Sequence, residues 1–318
     1  VLNAVLSIAG GLALLAAGAE GLVRGSTALA ARLGVTPLVI GLTVVAFGTG
    51  SPELVVSLQA AADGRGGIAV GNVIGSNIMN IALVLGIAAL VRPLEVRALV
   101  TRLEIPVLIL ASLLGWAFLA GGTLARWQGF VLLAVLALYG GARVFVARRT
   151  PSMQILDGFV ADVPRRKGGL FRAVAMVASG LLLLVFGARF LVGGAVSVAH
   201  ALGVSEALIG LTIVALGTSL PELATSLVAA VRNQPDIAVG NVVGSCIFNI
   251  LGILGLTAAV SPVRAAGITP VDLAVMASLA MVTLPIMRSG LRVTRFEGAL
   301  LVAGFAAYLA WLIHGAVG

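Results

Sequence analysis

The sequence predicts an all-α integral membrane protein, ten transmembrane helices built as two inverted-topology repeats of five helices each. Three observations carry this expectation: apolar runs recur along the whole chain, an internal duplication keeps its polar residues in register, and arginine is unevenly shared between the loops. Of 318 residues, 60% are hydrophobic and 10% are charged, where a soluble domain carries about 25% charged residues to stay hydrated. Mean hydropathy is +1.16. Runs such as LLAVLALYGGARVF and LASLLGWAFLAGG are too long and smooth for a soluble core; a bilayer core about 30 Å thick asks for about 20 apolar residues per helix. The net charge of +8 and pI near 11.3 do not indicate nucleic acid, because the basic residues sit between apolar spans and report membrane orientation.

Taken in order, the spans are expected near residues 1–23, 36–61, 67–91, 99–119, 126–147, 172–200, 204–231, 236–260, 269–287 and 295–315. The first, VLNAVLSIAGGLALLAAGAEG, lacks a basic start and stays apolar past any small-residue cleavage point, so it reads as a span and not as a signal peptide. The first and sixth continue into weakly amphipathic ends, VRGSTALAARLG and VGGAVSVAHALG, which suits long, tilted helices. The second and seventh are interrupted by GTGSP and GTSLP. One long connection, rich in Pro, Gly and Arg, divides the chain into a first repeat at 1–147, a cytoplasmic loop at 148–170 and a second repeat at 171–318. The one cysteine, Cys246, excludes an intramolecular disulfide and fixes no redox compartment.

The halves are copies. Residues 41–93 and 210–262 align without a gap at an offset of 169 (222 − 53), with 30 of 53 positions identical. GLALLAAGAEGLVRG aligns with GLLLLVFGARFLVGG at the same offset. Five spans per copy is odd, so the second copy enters the membrane from the opposite side, as in inverted-repeat transporters. With the amino terminus outside, the inner loops and helix ends hold 16 of the 20 Lys and Arg, and only Arg65, Arg126, Arg189 and Arg264 remain. Positive residues stay cytoplasmic, so both termini are expected on the external side of the plasma membrane.

Ionisable residues within the spans are scarce. Glu53 and Glu222 are repeat-equivalent and follow Gly48-Thr49-Gly50-Ser51-Pro52 and Gly217-Thr218-Ser219-Leu220-Pro221. Proline removes a backbone donor and opens the helix, and the freed carbonyls must line a cavity or bind something. The third and eighth spans add Asn72, Ser76 and Asn80, and Asn241, Ser245 and Asn249, at helical spacing on one face. Gly71 and Gly75, with Gly240 and Gly244, form small patches that by themselves read as helix packing. Carboxylates, amides, hydroxyls and bare carbonyls, with no thiolate or imidazole, suit Ca2+ and disfavour zinc or copper.

The bland readings are weighed beside this. A lone intramembrane Glu is as well read as an interhelical hydrogen bond, but its duplication beside the same breaker weakens that reading. Asn80 and Asn249 alone would be interhelical glue. Glu20 and Arg189 are equivalent but opposite in charge and read as local ion pairs or snorkelling groups. His200 and His314, at span ends and unduplicated, read as interfacial. Asp236 and Asp272 fall near helix starts, where the dipole favours acids. Gly48-Thr49-Gly50-Ser51 is only faintly like a nucleophile turn, and HExxH is absent, so the chain is not read as an enzyme.

At GTGSPEL…GNVIGSN and GTSLPEL…GNVVGSC the sequence resembles the cation/calcium exchanger family, most nearly its prokaryotic sodium/calcium antiporters. The resemblance implies electrochemically driven exchange of Ca2+ for Na+, or for H+ in some branches, by alternating access. It implies that Glu53 and Glu222 are central carboxylates shared by the ions. Thr49 and Thr218 would add oxygens at the Ca2+ position, flanked by the carbonyls of Ala46 and Ala215. Ser76, Ser245 and Ser219 would serve side sites for Na+, and Asn80 and Asn249 would complete the centre. No cofactor, nucleic acid or obligate protein partner is implied beyond the bilayer and the ions. Two departures stand out: Gly50 where the family has the serine matching Ser219, and Asn249 where some members have Asp. A Ca2+/H+ antiporter, with Glu53 or Glu222 taking up the proton, is the alternative. A passive channel fits less well, since opened helices at the midplane suit alternating access.

Overall fold

A computed structural model describes residues 2–149, 169–202 and 215–317. Helix α1 (Leu2–Leu33) is followed by a bent pair, α2 (Pro37–Thr49) and α3 (Ser51–Ala62), and then by α4 (Gly66–Val91), α5 (Val100–Leu119) and α6 (Arg126–Arg149). The second half runs α7 (Gly169–Ala201), α8 (Ala215–Thr218), α9 (Leu220–Val231), α10 (Pro235–Val260), α11 (Pro270–Arg288) and α12 (Arg295–Val317). Seven of these helices are long and apolar enough to cross a membrane, and the bent pair makes eight. The expected fifth span is the 24-residue helix α6. The expected seventh is represented by α8 and α9, and its start at 204–214, like most of the connection at 148–170, lies outside the described residues.

The exposed surface is that of a protein in lipid. Phe171 is 83% exposed, Leu138 74% and Leu110 65%, large apolar side chains that a soluble surface does not spread along whole helices. Inside, α4 and α10, the helices with the repeated Asn and Ser, are buried over 78% and 94% of their most apolar stretch. They form the centre and the other helices wrap them.

Helix α1 runs ten residues further than the apolar run that announced it. Its 32 residues span about 48 Å at 1.5 Å per residue, more than the hydrocarbon thickness, so it tilts. The helix stops where Gly34 takes φ +66°, a conformation open to glycine, and the Val35 N–H turns back onto the Ala30 carbonyl at 3.1 Å. Helices α1 and α7 pack backbone to backbone along a seam of glycines seven residues apart, Gly11, Gly18 and Gly25 against Gly180, Gly187 and Gly194. A methyl group at Gly11 would lie 2.6 Å from the Leu191 nitrogen, and one at Gly18 would lie 2.8 Å from the Gly180 carbonyl. Small residues permit such close approach between membrane helices.

Two short strand pairs between the repeats fit an inverted arrangement. Strand β1 (Leu94–Glu95) pairs antiparallel with β4 (Arg292–Val293), and β2 (Thr123–Leu124) pairs with β3 (Val263–Arg264). At the offset of 169, β1 is equivalent to β3 and β2 to β4. The 20-residue helix α5 lies between β1 and β2, which sets them about 30 Å apart. Each strand pair therefore joins one end of the first repeat to the opposite end of the second. The Arg97–Asp236 ion pair at 2.6 Å and the Arg295 bond to the Val91 carbonyl at 3.4 Å join ends on the β1–β4 face. The Arg126 bond to the Val260 carbonyl at 3.3 Å joins ends on the other face.

Asp272 does cap its helix: it forms a reciprocal capping box with Thr269, which satisfies two otherwise orphan donors. Its second oxygen accepts from the Tyr308 hydroxyl at 2.6 Å. Tyr139, the repeat equivalent of Tyr308, donates in the same manner to Glu104, which is also paired with Arg143 at 2.9 Å. These two tyrosines each tie a carboxylate of one helix to the next.

Candidate functional site

Proline and glycine build the site by breaking two helices. Between α2 and α3 the axis bends by 44° at Gly50. Pro52 stands in the first turn of α3 and Pro221 in the first turn of α9, positions where the missing N–H costs nothing. The break leaves Glu53 and Glu222 in the first turn of a new helix, where the positive end of the dipole favours a carboxylate. Both are 1% exposed. The two carboxyl groups lie within electrostatic reach of each other.

Asparagine locks each break against its neighbouring helix. Asn72 donates to the Glu53 carbonyl at 3.1 Å and to Ser57 at 2.9 Å. Asn241 repeats this with the Glu222 carbonyl at 3.3 Å and Ser226 at 3.0 Å. The Asn241 side-chain oxygen also accepts from Thr49 of the other repeat at 3.1 Å. The sequence marks these asparagines as extending one helix face. Their role as struts becomes visible only in the structure, and their duplication beside an equally duplicated serine was the available signal.

Around the carboxylates gather the other expected residues. Ser219 donates to Glu53 Oε1 at 3.3 Å and lies 3.4 Å from the Ser76 hydroxyl. Asn80 and Asn249 are buried, and each opens a π-helical turn, Asn80–Leu85 and Asn249–Leu254. Such turns are rare and frequent at functional sites, and no residue pattern in the sequence announces them. Ala46 is buried and its carbonyl accepts from the Gly50 N–H at 3.0 Å, while Ala215 opens the short turn α8.

Buried polar atoms without a protein partner concentrate here. They include Glu53 Oε2, Glu222 Oε2, Thr218 Oγ1, Ser245 Oγ, Asn249 Oδ1 and both terminal atoms of Asn80. Native proteins rarely leave such groups unpaired, and six residues at one centre, drawn from both repeats, form an oxygen-rich cradle for a hard cation. The donor set is of the kind that suits Ca2+.

The flanks of the cradle differ. Where Ser219 stands in one repeat, Gly50 stands in the other with nearly the same backbone, φ −76° and ψ 1° against −90° and 5°. A Cβ at Gly50 would lie 3.0 Å from the Ala46 carbonyl oxygen and 3.4 Å from the Phe248 ring, and Phe248 lies tilted by 37° against Phe47 with centroids 4.3 Å apart. The equivalent residues on the Ser219 flank are Met79 and Leu216. Phe47 also borders a cavity of about 630 Å3 that extends past Thr43 and Leu42 to Gly34.

An inverted pair of helical repeats, two broken helices and paired buried carboxylates between them define a secondary transporter. The comparisons narrow this. The profile of the sodium/calcium exchanger protein family matches residues 3–145 and again 172–314, once for each repeat, and the chain belongs to that family. CaxA of Alkalimonas amylolytica is 40% identical over 318 residues, 97% of this chain and 98% of its own length. The sodium/calcium exchanger MaX1 of Methanosarcina acetivorans is 31% identical over 345 residues, 96% of this chain and 97% of its own. The solved sodium-calcium exchanger NCX_Mj superposes with a TM-score of 0.82 at 32% identity, covering 98% of both chains. The protein is a membrane transporter with the fold of NCX_Mj and the family of cation/Ca2+ antiporters.

Proposed function

We propose that this protein exchanges Ca2+ for Na+ across the plasma membrane by alternating access. The observation that carries the reading is the cradle of unpaired buried oxygens around Glu53 and Glu222. Two carboxylates neutralise one Ca2+ or two Na+, so either cargo leaves the centre uncharged in a medium where net charge is costly. Glu53 and Glu222 are shared by both ions. Thr49, Thr218 and the Ala46 and Ala215 carbonyls serve the Ca2+ position, Asn80 and Asn249 complete it, and Ser76, Ser245 and Ser219 serve Na+. No cofactor and no obligate protein partner enter the cycle.

Ten spans carry this site, in repeats 1–147 and 171–318 joined by a cytoplasmic connection at 148–170, with both termini external. The arginine bias supports this orientation. Cysteines at Thr123 and Arg292, exposed on opposite faces, test it in intact cells. An impermeant reagent is expected to label the first and spare the second, and the reverse pattern overturns the orientation.

A second reading, Ca2+/H+ exchange, is favoured by the missing hydroxyl at Gly50 and the neutral Asn249. Ca2+ uptake into proteoliposomes under an imposed Na+ or H+ gradient decides between them. Uptake driven by Na+ supports the first, and uptake driven by a proton gradient alone supports the second. Uptake that needs neither would make the protein a channel.

A further inference from the structure

The two repeat-equivalent helix contacts, α1 against α9 and α7 against α3, are closed to different degrees, and charge marks the difference. Helix α1 packs along α9, and at that end Glu20 pairs with Arg24 and accepts from Arg232 Nε at 2.8 Å, just past α9. The inverted repeat supplies a second set of these positions. At the offset of 169, Glu20 corresponds to Arg189 on α7, and Arg232 corresponds to Asp63, just past α3. Both charges are reversed, so the pair is again complementary. Yet it is not formed: Asp63 is paired with Arg65 at 3.0 Å, and Arg189 makes no ion pair among the described residues. Arg189 instead borders a cavity of about 490 Å3 that parts α7 from α3 and reaches Thr218.

We propose that Glu20–Arg232 and Arg189–Asp63 are alternate ionic latches, each formed only while its own face is closed. The inference rests on the alternating-access reading and adds the residues that position the two states. An inverted repeat that exchanges one facing for the other maps α1 against α9 onto α7 against α3. In the facing described here the Glu20 latch is made and the Arg189 latch is open. In the opposite facing, Arg189 leaves the cavity edge and takes Asp63 from Arg65, while Glu20 releases Arg232. Neither latch touches the ions. Exposed pairs are individually weak, which suits a device that must break in every cycle, and each biases the population of the two facings about two- to five-fold.

Accessibility of one buried position tests this without any ion gradient, so its outcome is independent of whether Na+ or H+ is the counter-ion. Ala19 is fully buried where α1 meets α9, and its equivalent, Ala188, is 7% exposed at the wall of the cavity between α7 and α3. In purified protein carrying Cys246→Ala, a cysteine at Ala19 reacts with a maleimide only when the opposite facing is visited. Glu20→Gln or Arg232→Gln is expected to speed that labelling about two- to five-fold. Arg189→Gln or Asp63→Asn is expected to slow it by a similar factor, the double variant no more than either single, and the swap Arg189→Asp with Asp63→Arg to restore it. A cysteine at Ala188 is expected to respond in the opposite sense, which serves where Ala19→Cys disturbs the packing. Unchanged labelling in Arg189→Gln and Asp63→Asn, or effects of the two that simply add, would overturn the latch.

Discussion

On one flank of the paired carboxylates, Ser219 reaches both Glu53 and Ser76. On the other, Gly50 offers no hydroxyl, the Phe248 ring adjoins it, and Ser245 Oγ is left without a protein partner. The centre between them is symmetric: Glu with Glu, Thr with Thr, Asn with Asn, Ser with Ser. The backbone at Gly50 and Ser219 is nearly the same, so the glycine is not there to relieve a strained φ. The duplicated halves have thus kept the groups that balance a divalent charge in the proposed cycle and diverged at the flanking position of Gly50 and Ser219. Loss of a carboxylate at the centre leaves an ion uncompensated, whereas loss of a hydroxyl at the edge removes one oxygen among several.

The largest test of that contrast is at the centre. Glu53→Gln and Glu222→Gln are each expected to abolish Ca2+ exchange in proteoliposomes while the protein still purifies as a folded species. Breaking a buried charge pair by removing one partner costs about 3–5 kcal/mol, some hundred-fold or more in Ca2+ affinity. Near wild-type exchange in either variant would refute a shared centre.

The struts come next. Asn241 holds the Glu222 carbonyl, Ser226 and Thr49, whereas Asn72 holds only the Glu53 carbonyl and Ser57. Leaving a buried partner unsatisfied costs about 1–3 kcal/mol. Asn241→Ala is therefore expected to lower thermal stability more than Asn72→Ala, measured as melting temperature in the same detergent. Equal losses would mean that the bond from Thr49 across the repeats contributes nothing.

Much of this was legible before any coordinates. The offset of 169 gave the repeat, and the pairing of β1 with β4 and of β2 with β3 fits its inversion. The Pro-Glu breaks were legible because proline's effect on a helix is local and depends on few neighbours. The asparagine struts, the π-helical turns after Asn80 and Asn249, and the Tyr139 and Tyr308 ties were not, because each depends on which side chain another helix presents. Gly11, Gly18 and Gly25 fall in the duplicated stretch GLALLAAGAEGLVRG, but a glycine seam needs a second helix to be recognised as one. Phe248 is the sharpest case. In sequence it is one more apolar residue between Ile247 and Asn249, and only its approach to Gly50 shows what a restored serine would meet.

A third test removes the better flank. Ser219→Ala deletes the hydroxyl that joins Glu53 to Ser76, an exchange worth about 1 kcal/mol or several-fold in affinity. Na+ titration of Ca2+ exchange is expected to shift several-fold to higher Na+, with Ca2+ affinity little changed. An equal shift for both ions would place Ser219 at the centre and not at the edge.

The smallest and most specific effect is expected where the weaker flank is rebuilt. Gly50→Ser alone adds a side chain whose Cβ sits 3.0 Å from the Ala46 carbonyl oxygen and 3.4 Å from Phe248, tight against the carbonyl and crowded by the ring for the hydroxyl beyond it. The ring packs at a tilt against Phe47, so it does not move aside freely. Gly50→Ser is therefore expected to tighten Na+ only slightly. Adding Phe248→Met reproduces the Ser219 and Met79 arrangement that the other repeat already folds into, and an unbranched thioether adapts to its surroundings. The double variant is expected to gain about several-fold in apparent Na+ affinity, with Phe248→Met alone gaining nothing. The proposed orientation places this flank on the cytoplasmic side, so the gain should appear when Na+ is varied there in oriented vesicles and not when it is varied outside. A gain from Gly50→Ser that is unaffected by Phe248→Met would show that the ring does not set the weak flank, and a gain seen from the outer side would reverse the assignment of the two flanks.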